Sequence, residues 1–331
     1  MKACAPRDDL DAGLTAPTGR GLRVPVVDAA ALTRERFRRE FVRQNAPVLI
    51  RNGAARILRE GALWTPDGGA LGGGAHWRVP QAVALNASVH GNNAAMSLAA
   101  IVSAAAAHAH AHARTTTITM APRCKVVGSR LCALEDGAVV LPDQCECSAL
   151  QHAYFGHVDP HFWIRSSARG LFAFKVSVRG GALPHSHMDT LNVLTFGMKR
   201  WILVRMTDFA TAEARLLHER HAVAQRDGNA SYTRSLDWFR RQTQRSVAGD
   251  WHGDSILRQR HFDVVQSAGD VLYVPQFATH ATLDICPLQM GAVLQGPLVR
   301  GPTPFFPETH DCTTGRSMWE ACARIYATHR A

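Results

Sequence analysis

The stretch from His185 to Arg205 constrains the chain more than any other. It opens with metal-ligand residue types, His185-Ser-His187-Met-Asp189, and passes into a β-rich run that turns at Gly197. Lys199 then heads a second apolar run, Arg200 to Val204. Side chains on a strand repeat every two residues, so an extended 185–189 segment puts His185, His187 and Asp189 on one face. Two imidazoles and a carboxylate are the donor set of a non-haem Fe(II) site. A partner follows much later: Gly269-Asp270 reads as a turn, 271–274 as a buried strand ended by Pro275, and His280 opens another extended stretch, 281–285. A two-ligand strand and a distant histidine entering another strand fit a small β-barrel, where sequence-distant strands converge.

Further segments extend this picture to a mixed α+β, mainly β domain with flanking helices. Phe172, Phe174, Val176 and Val178 alternate along 171–178, a Gly180-Gly181 turn follows, and strands resume at 261–265 and 291–294. Near the start, 24–27 is a short strand. Thr33 caps a helix over 34–44 with Phe37, Phe41 and Val42 as its apolar stripe, and 47–51 returns as a strand. Residues 1–21 lack periodicity and are expected to be disordered. The run 94–113 is Ala-rich and helical and ends in alternating histidines; low complexity explains it, because such alternation does not converge three imidazoles on one ion. Residues 117–148 fit two short strands or a disordered insertion equally. A polar, Arg-rich insertion spans 207–260, with helices expected at 210–221 and 233–244 inside a barrel core of about 171–297. An extension, 298–331, ends in a helix at 317–326.

Composition narrows the partners. At 331 residues the chain suffices for one large domain or two small ones. The net charge of +10 rests on arginine; Lys2, Lys125, Lys175 and Lys199 are the only lysines. The densest basic run, 34–43, is interleaved with Glu35, Glu40 and apolar positions, which is the wet face of a helix rather than a basic stripe for specific nucleic-acid binding. Residues 1–22 lack a secretory pattern, which leads us to expect a reducing compartment, cytoplasm or nucleus, with free thiols. Cys124, Cys132, Cys145 and Cys147 do not match the Cys-x-x-Cys pairs of zinc modules. The most apolar span, 94–107, is too short to cross a bilayer, so no membrane association is expected.

The two blocks resemble the jumonji C (JmjC) branch of the cupin-fold oxygenases, which use Fe(II) and 2-oxoglutarate. The matching islands are His187-Met-Asp189, Gly197-Met-Lys199-Arg-Trp201, and Gly269 through His280. Val24-Pro-Val-Val-Asp28, Phe37-Arg-Arg-Glu-Phe41, Asn45-Ala-Pro-Val-Leu-Ile-Arg51 and Tyr154-Phe-Gly156 are similar to stretches that precede the family's barrel. Together these islands span residues 22–297. His157-Val-Asp159 is followed by Pro160 and lacks a downstream Gly-x-Lys, so it belongs to a loop before the barrel.

The resemblance implies a double-stranded β-helix (jelly-roll, cupin) barrel that holds Fe(II) through His187 and His280. It implies 2-oxoglutarate as co-substrate, with its distal carboxylate on Lys199. A compact ammonium suits that carboxylate in a narrow barrel better than a guanidinium. Thr190 and Asn192 follow the ligand run and could donate hydrogen bonds to the co-substrate. Counted back from Gly197 without gaps, the first block reads His185-x-His187, the pattern of a subgroup resembling jumonji domain-containing protein 8. Read two residues later it is His187-x-Asp189. The third ligand is therefore Asp189, whose carboxylate lowers the charge of the site, or His185, which the ungapped spacing favours. The implied activity is hydroxylation of a protein side chain, with demethylation as a variant of the same chemistry. The alternative is a catalytically inactive JmjC-like barrel that binds a partner protein through 207–260.

Overall fold

A computed structural model describes residues 4–17, 21–57, 171–186, 189–205, 208, 235–248 and 260–295, with short strands at 78–79, 96–97, 124–127, 131–134 and 139–140. In chain order its helices are α1 (Ala12–Thr15), α2 (Arg34–Phe37), α3 (Gly53–Ile57) and α4 (Ser235–Ala248). The early strands are β1 (Val26–Asp28), β2 (Val48–Arg51), β3 (Arg78–Val79), β4 (Met96–Ser97), β5 (Cys124–Val127), β6 (Leu131–Leu134) and β7 (Val139–Val140). The later ones are β8 (Leu171–Val178), β9 (Gly181–His185), β10 (Thr190–Phe196), β11 (Met198–Val204), β12 (Phe262–Ser267), β13 (Val271–Val274), β14 (Thr279–Asp284) and β15 (Leu288–Gln295).

Among the described residues these strands form a nine-stranded sheet, β1-β2-β13-β10-β15-β8-β5-β6-β7, and a four-stranded sheet, β12-β11-β14-β9, with β3 and β4 paired apart. Every ladder is antiparallel except the β1–β2 pair. From β8 to β15 the chain changes sheet at each connection except β11 to β12. The two sheets meet through one apolar cluster, to which Trp201, Leu203, Phe262 and Val264 come from the smaller sheet and Leu49, Leu272 and Val274 from the larger. The molecule is thus mainly β, with the arrangement of a β-sandwich.

Alternation along β11 explains its other face. Lys199, Trp201 and Leu203 point between the sheets, while Ile202 and Val204 join an outer cluster with Leu183, Ala281, Leu283 and, from α4, Leu236, Trp238 and Phe239. Burying side chains of this size contributes roughly 1.5–3 kcal/mol each. The helix expected at 233–244 thus exists as Ser235–Ala248, but its apolar side is spent on the sheet. The helix expected at 210–221 lies outside the described residues, as do the Ala/His run (apart from Met96–Ser97, which is strand, not helix) and the 298–331 extension.

Local signals place the remaining elements. Thr33 accepts a hydrogen bond from the Arg36 amide at 3.1 Å and starts α2, which continues as a π turn over Arg38–Val42 rather than as one helix to 44. Gly197 adopts a φ of 94° between β10 and β11, where a Cβ would come within 2.9 Å of the Leu288 carbonyl. The hairpin β5–β6 decides between the two readings of 117–148 in favour of short strands for its own residues.

Two expectations need correction. Residues 4–17 are not disordered: they form an ordered strap across the outer face of the smaller sheet. Leu14 is buried in the outer cluster, and Arg200 donates to the carbonyls of Gly13 and Leu14 at 2.9 and 3.2 Å. Arg7 is buried, donating its amide to the Ile285 carbonyl, and Arg179 reaches Asp8 and Asp9. Polar anchors of this kind leave no periodicity in the sequence. Second, Cys4 and Cys286 are not free thiols but form a disulfide, with Cα atoms 6.0 Å apart, that ties the strap to the end of β14.

Candidate metal centre

Antiparallel pairing aligns the site. In the β14–β9 ladder His280 stands opposite His185, and in the β14–β11 ladder it stands opposite Leu203. Directly paired residues share a face, and Leu203 belongs to the cluster between the sheets, so both imidazoles are turned inward. A bulge achieves this for His185. Thr282 pairs with Ala182 while His280 pairs with His185, leaving one extra residue in β9. Unbroken alternation from Leu183, an outer-cluster residue, sends His185 outward; the bulge brings it back beside His280. The ring centroids lie 4.3 Å apart, and the Trp201 ring is 5.8 Å from that of His280.

The two rings are held alike. His185 Nδ1 lies 2.7 Å from the Leu183 carbonyl and His280 Nδ1 lies 2.9 Å from the Ala278 carbonyl. A carbonyl only accepts, so each Nδ1 carries the proton and donates it, and in the neutral ring Nε2 has the lone pair. Histidines that bind metals are oriented in this way, by an N–H bonded to a backbone carbonyl. Two imidazole donors suit Fe, Zn, Cu and Ni ions alike.

The other sequence candidates fall in different places. Thr190 and Asn192 are buried and pair with Val274 and Leu272, both in the cluster between the sheets, so they face the same interior from the larger sheet. Asp189 is buried in the corner just before β10, and its charge, after burial itself, pushes the Tyr273 phenol well above its ordinary range. His187 lies outside the described residues. His185 ends β9 in one sheet and Thr190 begins β10 in the other, so the two residues do not belong to one strand. Among the described residues no three His, Cys, Asp or Glu side chains gather as a metal group.

Lys199 lies on the enclosed face, largely buried, with its ammonium 5.7 Å from the Trp201 ring centroid. Its Nζ is 3.4 Å from Oδ1 of Asp284, the residue opposite it in the β11–β14 ladder. Gln266, its neighbour on the β12 side, is fully buried; it accepts from the Trp201 indole at 3.0 Å and donates to the Asn192 and Asp270 carbonyls. Sequence reasoning missed both Asp284 and Gln266, because strand pairing alone makes them neighbours of Lys199.

Fold and site together define a mainly β protein whose two sheets enclose a carbonyl-anchored histidine pair. No protein-family model matches the chain, and no curated protein matches it. Among the described residues no helix is long and apolar enough to cross a membrane.

Proposed function

We propose that the chain is an Fe(II)- and 2-oxoglutarate-dependent oxygenase of the jumonji C type, built on a double-stranded β-helix and hydroxylating a protein side chain. The observation that carries this reading is the histidine pair: His185 and His280, far apart in the chain, present rings 4.3 Å apart on the enclosed face, each fixed by an Nδ1–H bond to a carbonyl. The exchange of strands between sheets from β8 to β15 supports the double-stranded β-helix. When bound, the metal and the 2-oxo acid supply the oxidising chemistry that activates O2. The chain's own residues hold and orient. In this reading His187 and His280 are ligands, His185 or Asp189 is the third, Lys199 supplies a cation, and Thr190 and Asn192 supply polar groups opposite it. Trp201, Leu203 and Phe262 keep water from the enclosed face.

An anaerobic titration with Fe(II) tests the assignment. Wild type binds one ion per chain, and His280→Ala or His185→Ala weakens binding by about tenfold or more. Succinate is released from 2-oxoglutarate when O2 is admitted. Tight binding that survives both substitutions overturns the reading.

A second reading, a catalytically inactive JmjC-like barrel acting as a protein-binding module, is favoured by one observation: the Lys199 ammonium already faces a protein carboxylate, Asp284. It predicts partner capture without succinate release, through parts of 207–260 other than the packed side of α4.

A further inference from the structure

Asp284 has no surface exposure, and both its backbone and one oxygen of its carboxylate are held. Oδ2 accepts from the Ser177 hydroxyl and, at 3.1 Å, from the Gly180 amide. Its own amide donates to the Gly180 carbonyl at 3.0 Å, and its carbonyl accepts from Arg7 at 3.2 Å. The two bonds to Oδ2 keep Oδ1 turned toward Lys199. Oδ1 makes no hydrogen bond among the described residues and faces Lys199 Nζ across 3.4 Å. A ligand carboxylate that reaches this ammonium meets a second carboxylate beside it, and like charges this close repel strongly in a poorly solvated site. A ligand whose far end is uncharged meets no such repulsion.

We infer that Asp284 is a specificity-determining residue: a built-in carboxylate on Lys199 that disfavours 2-oxo acids with a distal carboxylate and leaves 2-oxo monocarboxylates undisturbed. The inference rests on the metal and 2-oxo acid reading above, but it concerns the far end of the co-substrate rather than the metal. The wild-type chain accordingly needs a high concentration of 2-oxoglutarate to fill the site and release succinate.

Calorimetry on the full chain tests this with two pairs of probes: glutarate against butyrate without metal, and 2-oxoglutarate against 2-oxobutyrate with Mn(II). In wild type neither dicarboxylate binds more tightly than its monocarboxylate partner. Asp284→Asn, which keeps an oxygen for Ser177 and Gly180, strengthens glutarate and 2-oxoglutarate by about tenfold or more and moves the monocarboxylates by no more than about twofold. Asp284→Ala does the same, and the gain vanishes in Lys199→Met/Asp284→Asn. Near-UV circular dichroism confirms that each variant is folded. Wild type that prefers glutarate to butyrate by about tenfold, or Asp284 variants that bind glutarate no better than wild type, overturn the inference. If neither 2-oxo acid binds the Mn(II)-loaded protein while the glutarate gain appears, the oxygenase reading fails and the assignment of Asp284 stands.

Discussion

Lys199 and Arg200 are consecutive cations on one strand, yet they serve opposite faces of it. Arg200 is fully buried on the outer face, where its fork spans Asp263 at 3.1 and 2.9 Å, binds the strap carbonyls of Gly13 and Leu14, and lies 5.7 Å over the Phe239 ring. Lys199, on the enclosed face, makes among the described residues one looser ion pair, with Asp284. A planar guanidinium that fills its donors with fixed acceptors is a structural cross-link. A compact ammonium 3.4 Å from a carboxylate and 5.7 Å from an indole ring is held less tightly. The same alternation that builds the sandwich thus separates a cation that holds the strap from one that faces the space between the sheets.

The largest effect that sharpens this contrast comes from Arg200→Met. It removes the guanidinium that spans the buried Asp263 carboxylate, and we expect denaturant unfolding to report a loss of about 3–5 kcal/mol. Lys199→Met should cost clearly less; an equal loss would break the distinction between the faces. Next comes Leu14→Ala, at about 2–5 kcal/mol if the strap is part of the core. A change near zero would mean that residues 4–17 contribute nothing to stability. The smallest effect is electrostatic. The hydrogen bond from Arg7, first among its causes, holds the Asp9 carboxyl below its ordinary 3.8. Because the folded-state pKa is the lower one, Asp9 contributes stability above 3.8 that is lost as pH falls through the folded value. Asp270 has the opposite sign: burial raises its pKa, so its contribution is complete below 3.8 and is lost as pH rises through the folded value. Asp9→Asn should therefore shrink only the acid-side loss of melting temperature, and an unchanged acid limb would remove Asp9 from the strap's anchors.

Much of the β scaffold was legible. The strands over 171–178 and 271–274 have the bounds that periodicity indicates, and Thr33 caps its helix as its side chain suggests. The strap was not legible, since Arg7, Arg179 and Arg200 anchor it through scattered polar contacts rather than a repeating apolar face. The site was legible only in part. His280 and Lys199 could be named from spacing, and both lie on the enclosed face. The common face expected for His185, His187 and Asp189 assumed one uninterrupted strand, whereas the chain leaves one sheet and enters the other between His185 and Thr190.

By itself, the sequence determined what alternation and turn chemistry can determine: that segments such as 171–178 and 271–274 form short strands. Tertiary structure decided who meets whom. A bulge in β9 turned His185 toward His280, and ladder register set Asp284 against Lys199. Local propensities act over a few residues, while register and bulges are fixed only when whole sheets close on a shared core.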